Sequence, residues 1–359
     1  MGRRLTSLDL IRGIAILAMV QAHIWEFYIG KPVGLGVCLL KWFSNPLGGY
    51  AAPLFTLVSG MSAHLSVQST VYHSETYPGM GQYFLRRGIA LFLLSTLVNI
   101  LAGPLLHFLD ISILNWGILQ LIGTCLCLVP VFVRLNGTAK IAWVVTPTLF
   151  AGWRAPSQSL VAALFTGFAP PFPWASLFFG GMLVGDAYTR ILSSSASRSW
   201  LHFTSSGLLF LFPFGLVLHL QYRSFTWQHM ASPSLTALVV FFGCFILLVS
   251  GFGFLLDKRE FQFTGLGALA GLGKHALTVY YLQLVGIVLS SMVIRNLFNL
   301  TLNLNWLWFL PMFGVALLIL HLIVNVIWAK FDYLFSVEWL LTKFVKASIS
   351  SELPHPEAR

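Results

Sequence analysis

The first apolar segment of the chain reads Leu8-Asp9-Leu10-Ile11-Arg12-Gly13-Ile14-Ala15-Ile16-Leu17-Ala18-Met19-Val20-Gln21-Ala22-His23. From Arg12 to His23, eleven α-helical steps of about 100° return to within about 20° of the starting direction. The two side chains therefore share one face of a helix, about 16 Å apart along its axis. In a hydrocarbon layer about 30 Å thick, this spacing holds a cation at one surface and an imidazole near the middle. Polar side chains at that depth are costly and indicate a functional site.

The composition predicts a membrane protein. Hydrophobic residues make up 57% of the 359 residues and charged residues only 9%, whereas soluble domains are about a quarter charged. The net charge of +10 comes from basic residues scattered singly and in pairs, without the basic aromatic patch of a nucleic-acid-binding surface. The four cysteines form no CxxC pair, so neither a metal site nor a disulfide framework is expected.

Ten apolar segments predict an all-α, polytopic membrane protein with about ten transmembrane helices in one bundle, over residues 1–330. The segments lie at about 8–29, 49–68, 88–108, 112–133, 139–153, 172–190, 201–220, 235–256, 268–292 and 305–329. A further apolar stretch at 157–169 is too short to span alone. Residues 331–359 are expected to form a cytoplasmic interfacial helix and tail, because apolar side chains are combined there with Lys343 and Lys346.

The distribution of lysine and arginine agrees with this count. With ten spans and a cytoplasmic N-terminus, 16 of the 21 basic residues fall on the cytoplasmic side, as the positive-inside rule requires. The five on the outer side are Lys31, Lys41, Arg154, Arg223 and Arg295. We therefore expect a multi-pass protein of the cell (plasma or inner) membrane with both termini in the cytoplasm.

His23 is the leading candidate for catalysis. Imidazole titrates near neutral pH and is the side chain best suited to general-base work. Glu26 follows three residues later, near the same face, where its carboxylate would orient the ring and fix its tautomer. The alternative is a histidine that packs against a neighbouring helix.

Arginines at one membrane level predict a binding site for phosphate. Arg86 and Arg87 stand at the cytoplasmic end of the third segment, level with Arg12. Guanidinium groups bind phosphate with a bidentate fork, although arginines that only snorkel to the surface are common. Asp9 lies one turn before Arg12 and is expected to pair with it.

The fourth segment opens with a polar group. Asn115, Trp116 and Gln120 provide two amides and an indole N–H. Such side chains bind a polar substrate or join neighbouring helices through hydrogen bonds, and the residues alone leave both roles open. Asp186, near the end of the sixth segment, is expected to pair with a basic group.

Six stretches, in order over nearly the whole chain, give the sequence a family resemblance. They are Arg4-Leu5-Thr6-Ser7-Leu8-Asp9-Leu10-Ile11-Arg12-Gly13-Ile14-Ala15, Pro53-Leu54-Phe55-Thr56-Leu57-Val58-Ser59-Gly60, Trp116-Gly117-Ile118-Leu119-Gln120, Phe172-Pro173-Trp174 with Gly180-Gly181-Met182-Leu183-Val184-Gly185, Leu272-Gly273-Lys274-His275-Ala276-Leu277-Thr278-Val279-Tyr280, and Val337-Glu338-Trp339-Leu340-Leu341. With them the chain resembles the membrane acyltransferase superfamily, which holds heparan-α-glucosaminide N-acetyltransferase-like and acyltransferase-3 proteins. The resemblance implies transfer of an acyl group from cytosolic acyl-CoA, such as acetyl-CoA, to an acceptor that is commonly a sugar.

The resemblance also bears on single residues. In acyltransferase-3 members an arginine and a histidine separated by ten residues mark the active helix, and Arg12 and His23 match that spacing. Lysosomal members carry asparagine at the position of His23 and a histidine further along, but no histidine lies between His23 and His64. Relatives often end the motif of the ninth segment with histidine where this chain has Gln283.

Residues and resemblance predict one arrangement. The phosphates of acyl-CoA lie near Arg12, Arg86 and Arg87, the pantetheine arm follows the apolar strip of the first helix, and the thioester reaches His23. Direct attack by a hydroxyl or amine of the acceptor and an acyl-histidine intermediate both stay open. The competing class is a transporter or a flippase of lipid-linked carriers, which often shows duplicated halves, and no repeat stands out here. The identity of the acceptor and a homodimeric state also stay open.

The ten-span arrangement predicts that positions near Ser193 and Ser224 lie on opposite sides of the membrane, because one predicted span separates them. Cysteines introduced there, in a variant without the native cysteines, should react with a membrane-impermeant maleimide from the cytoplasm near Ser193 and from outside near Ser224. Labelling of both positions from one side of the membrane would contradict the ten-span topology.

Overall fold

A computed structural model describes the chain at residues 5–28, 35–73, 77–102, 116–149, 169–193, 198–209, 235–258, 264–298 and 308–350. The regular structure in these ranges is helical. Within them, four helices are long and apolar enough to cross a membrane: Thr6–Trp25, Gly79–Ile100, Leu238–Lys258 and Phe309–Phe331. A bent pair of helices adds a fifth candidate. The all-α class is confirmed over these ranges, and the candidate spans support a helical membrane protein. The count of ten spans stays a prediction.

The described residues form twelve α-helices. They are α1 (Thr6–Tyr28), α2 (Leu35–His73), α3 (Tyr77–Ala102), α4 (Ile118–Arg134), α5 (Gly137–Leu149), α6 (Pro171–Ser193), α7 (198–209), α8 (Leu235–Phe252), α9 (Thr264–Lys274), α10 (Ala276–Phe298), α11 (Phe309–His321) and α12 (Val337–Ser350). π-Helical turns continue α8 over Gly253–Lys258 and α11 over Leu322–Ile327. Each of the ten predicted segments coincides at least in part with one of these helices, and α12 lies entirely within the range 331–359 that was predicted to form the interfacial helix and tail.

The chain divides into two compact units. The terminal unit comprises Arg4–Phe55 and Phe252–Trp339, and the central unit comprises Met1–Arg3, Thr56–Gly251 and Leu340–Arg359. Helices α1, α9, α10 and α11 therefore belong to the terminal unit, and α3 to α7 belong to the central unit.

Helix α1 lies at the centre of the terminal unit. It contacts α9, α10, α11 and the π-helical end of α8. The side chains with no exposed surface include Leu10, Ile11, Ala15, Ile16 and Val20. They point in several directions around the helix, as expected of a helix enclosed by protein. The apolar strip between Arg12 and His23 is therefore packed against other helices.

Helices α1 and α9 cross at two glycines. A Cβ atom added to Gly273 would lie 1.8 Å from the carbonyl oxygen of Asp9, and one added to Gly13 would lie 2.3 Å from the carbonyl oxygen of Leu269. Small residues allow two helix backbones in a membrane protein to approach this closely. The crossing fixes the N-terminal half of α1 against α9.

The central unit is built in the same way. A Cβ atom added to Gly60 of α2 would lie 1.8 Å from the carbonyl oxygen of Phe178 in α6. One added to Gly88 of α3 would lie 2.5 Å from the carbonyl oxygen of Gly123 in α4. Large aromatic side chains, such as the fully buried Phe178, fill the space beside these crossings.

The ninth predicted segment is not one straight helix. Helix α9 ends at Lys274, α10 begins at Ala276, and the two differ in direction by 91°. His275 lies at this corner and is 7% exposed. Its ring stacks on Tyr333, with the ring centroids 3.7 Å apart. The predicted segment at 268–292 therefore corresponds to a bent pair of helices, and its crossing of the membrane stays a prediction.

Glu338 explains why a new helix begins after the corner. Its carboxylate accepts hydrogen bonds from the backbone N–H of Leu277 at 2.8 Å and of Thr278 at 3.3 Å, and from the hydroxyl of Thr278. A carboxylate at a helix N-terminus satisfies N–H groups that lack an intrahelical partner and interacts favourably with the helix dipole. Two of the quoted sequence stretches, 272–280 and 337–341, thus meet at one helix terminus.

The glycine crossing predicts a loss of stability for Gly273→Ala. The new methyl group would overlap the carbonyl of Asp9, and overpacking typically costs about 1–3 kcal/mol. The midpoint of thermal unfolding in detergent should fall by several degrees. Gly267→Ala is the matched control in the same helix, because no described atom lies within 4 Å of the added Cβ. Equal midpoints for the two variants would contradict the close crossing.

Candidate functional site

Helices α1 and α10 lie side by side and run in the same direction. His23 of α1 contacts Gln283 of α10. Further along both helices, the hydroxyl of Tyr28 donates a hydrogen bond to the carbonyl of Ile287 at 3.1 Å. The second contact lies further along both helices than the first, so the C-terminal half of α1 has a fixed register against α10.

His23 is partly buried and forms one hydrogen bond to Gln283, with its Nδ1 3.3 Å from the amide oxygen Oε1. Because an amide oxygen can only accept, Nδ1 is the donor in this contact, and in the neutral imidazole Nε2 is then the nitrogen with the free lone pair. Gln283 itself is 3% exposed. One turn towards the N-terminus of α1, Met19 belongs to a small apolar cluster against which Tyr280 packs. This arrangement gives the imidazole a defined tautomer with one nitrogen available as a base.

The expected pair of Asp9 and Arg12 is confirmed. The Nη1 of Arg12 donates to a carboxylate oxygen of Asp9 at 2.8 Å. The Arg12 side chain keeps 22% of its surface exposed, so it is accessible from outside the helix packing. The backbone carbonyl of Asp9 is also the group that Gly273 of α9 approaches closely. The arginine is thus held at the crossing of α1 and α9.

Arg86 and Arg87 lie in α3. The Nη1 of Arg87 donates to the hydroxyl of Tyr83 at 2.7 Å, and its guanidinium lies 6.0 Å from the centre of that ring. Arg86 is partly buried. Both arginines belong to the central unit and Arg12 belongs to the terminal unit. Their binding of one ligand together with Arg12 stays a prediction.

Gln120 joins α4 to α3. Its side chain accepts a hydrogen bond from the N–H of Gly117 at 2.8 Å and donates one to the hydroxyl of Thr96 at 3.0 Å. The ring of Trp116 makes an edge contact with Phe92, with centroids 6.0 Å apart. These contacts support the interhelical role that the sequence left open for both residues. Substrate binding by Gln120 and Trp116 stays a prediction.

Two predicted site groups fall outside the described part of the chain. Asn115 lies outside the described residues. Glu26 has its backbone in α1, but its side chain is not among those described. Their roles stay predictions. Among the described residues, no group of three or more His, Cys, Asp or Glu side chains is arranged to hold a metal ion.

Asp186 has the basic partner that the sequence predicted. The Nη2 of Arg190 lies 2.8 Å from its carboxylate. The Nε2 of His64 lies 3.9 Å from the other carboxylate oxygen. Arg190 therefore pairs with an aspartate one turn earlier in its own helix, as Arg12 does.

Gln283 is the site residue that helical spacing did not find. The sequence offered Glu26 as the partner of His23 because it lies one turn away, whereas Gln283 is 260 residues distant. The signal that points to Gln283 is that it is the one amide side chain of the ninth segment, since such a group inside a membrane needs a partner within the protein.

Comparison with known proteins identifies the family. The family model described as heparan-alpha-glucosaminide N-acetyltransferase, catalytic, matches residues 4–205. The matched range is more than half of the chain and contains α1 with both Arg12 and His23. No curated protein matches the chain. By this match over its N-terminal half and beyond, the chain belongs to the heparan-alpha-glucosaminide N-acetyltransferase catalytic family.

Proposed function

We propose that this protein is an integral-membrane acyltransferase that moves an acyl group, acetyl by the family's name, from cytosolic acyl-CoA to a hydroxyl or amine of a sugar-like acceptor. The observation that carries the proposal is the family match across α1. That helix is packed among other helices and carries an arginine and a histidine about 16 Å apart on one face. A fixed cation suits the phosphates of the donor, and an imidazole at mid-membrane depth suits its thioester.

The donor would bind through its phosphates at the cytoplasmic end of α1. Arg12, oriented by Asp9, would contact them together with Arg86 and Arg87, because guanidinium forks match phosphate geometry. The pantetheine arm would then run towards His23. Since Ala15 is fully buried, the arm enters by displacing the side chains that pack against this strip.

The chemistry would take place at His23. The hydroxyl or amine of the acceptor attacks the carbonyl carbon of the thioester while Nε2 of His23 takes its proton. The tetrahedral intermediate collapses, the carbon–sulfur bond breaks, and coenzyme A leaves as the thiolate. The imidazolium then returns the proton to that sulfur. Glu26 would support the ring from the same helix, and Asn115, Trp116 and Gln120 would contact the acceptor.

The reaction has a direction across the membrane. We propose ten spans with both termini in the cytoplasm and α12 on the inner surface, which the charge distribution supports. The donor then enters from the cytoplasm and the acceptor from the other side. The bilayer separates the two substrates except at the centre of α1.

Two substitutions on α1 should have separable effects. Arg12→Ala should weaken acetyl-CoA binding about tenfold or more, because a charge-assisted hydrogen bond to phosphate is lost. His23→Ala should leave binding nearly unchanged and lower turnover about 10²- to 10⁴-fold, the usual contribution of a general base. Isothermal titration calorimetry and thiol release with glucosamine as the acceptor measure the two quantities.

Matched controls exist for both. Arg190→Ala removes an arginine that likewise pairs with an aspartate of its own helix, and His64→Ala removes a partly buried histidine of α2. Neither control should change binding or turnover. Glu26→Gln should cost less than His23→Ala. Absence of acetyl-CoA binding by the wild type would favour a transporter, and normal turnover by His23→Ala would move the chemistry away from α1.

A further inference from the structure

We infer that Gln283 serves the proposed acyl transfer with both ends of its amide: Oε1 positions the imidazole of His23, and Nε2 donates a hydrogen bond to the carbonyl oxygen of the bound acyl group. The inference rests on the proposed function and adds a residue to it. Gln283 lies outside the range of the family match, which ends at residue 205. Its assignment therefore depends on the contacts of this chain alone.

The positioning role follows from the bond between the two side chains. The oxygen Oε1 lies 3.3 Å from Nδ1 of His23 and accepts a hydrogen bond from the N–H at Nδ1. A hydrogen bond at one ring nitrogen decides which tautomer is present and how the ring is turned. The register of α1 against α10, held further along by Tyr28 and Ile287, keeps the two side chains together. Nε2 of His23 is then the atom that accepts the proton of the acceptor.

The donor role follows from the other end of the amide. Gln283 is 3% exposed, and no described residue accepts a hydrogen bond from its Nε2. Leaving a buried polar group unsatisfied costs about 1–3 kcal/mol, so such a group in a folded protein calls for an explanation. A ligand that brings its own acceptor supplies one. The amide N–H₂ group lies on the same side chain that orients His23. We therefore expect its hydrogen-bond acceptor to be a group of the substrate that reacts next to His23.

The carbonyl oxygen of the thioester is that acceptor. When the hydroxyl or amine attacks, the carbonyl oxygen gains negative charge, and a neutral N–H donor stabilises it without adding a charge to the membrane interior. The same side chain thus holds the base and the electrophile in one geometry. An amide can do this because it carries an acceptor and a donor on one planar group.

Two near-isosteric substitutions separate the roles. Gln283→Met removes the acceptor and the donor, and kcat should fall about 10³-fold or more. Gln283→Glu keeps an acceptor for Nδ1–H and loses the donor, so kcat should fall by an intermediate factor of about 10². The KM for acetyl-CoA should stay within about threefold in both, because the phosphates bind at the far end of α1. The assay follows thiol release from acetyl-CoA with glucosamine.

Each outcome decides between the roles. Wild-type kcat in Gln283→Met would overturn the whole inference. Wild-type kcat in Gln283→Glu would overturn the donor role, and a fall as large as in the Met variant would overturn the positioning role. Gln68→Met, which removes an amide that donates to Thr189, is the control and should leave kcat unchanged.

Two further comparisons keep the test decisive. If the new carboxylate unfolds Gln283→Glu, the kcat of His23→Ala can be compared with that of His23→Ala/Gln283→Met instead. This comparison also separates the two roles, because only the donor role persists without the imidazole. A further fall of about 10² in the double variant is expected, and no further fall would overturn the donor role. Absence of acetyl-CoA binding by the wild type would instead refute the proposed function, and the inference with it.

Discussion

A membrane helix that carries an arginine, an aspartate and a histidine has to be enclosed by protein. A charged side chain in the centre of a bilayer-exposed helix costs about 2.5–3.5 kcal/mol on insertion scales. Helix α1 meets this constraint because α9, α10 and α11 cover it, and because Gly13 and Gly273 allow α9 to approach its backbone. The burial of α1 thereby gives its polar groups fixed partners, Asp9 for Arg12 and Gln283 for His23.

The enclosure of α1 also gives the proposed reaction its geometry. The two ends of the helix are held by different neighbours: α9 at the end with Arg12, and α10 at the end with His23. A donor that binds at one end and reacts at the other has to open the packed strip between them. Under the proposal, binding of the donor at Arg12 and acyl transfer at His23 are therefore separable properties of one helix. The glycine crossing makes the end with Arg12 rigid.

The sequence predicted those features that depend on local pattern. The apolar run and the eleven-residue spacing predicted α1 and its shared face, and the one-turn separation predicted the pairs of Asp9 with Arg12 and of Asp186 with a basic group. Contacts between distant segments were not predictable in this way. The corner at His275 depends on Glu338, about 60 residues away, and the partner of His23 comes from α10. Hydropathy records neither contact, since it reports only how apolar each segment is.

The most direct test of the account is a structure of the protein in lipid with a non-reactive acetyl-CoA analogue in which a methylene replaces the thioester sulfur. We expect the phosphates of the analogue beside Arg12 and its pantetheine arm along α1. Its carbonyl carbon should lie about 3–4 Å from the place of an acceptor oxygen or nitrogen that is hydrogen-bonded to Nε2 of His23. An analogue whose acyl end lies on another helix, away from His23 and Gln283, would contradict it.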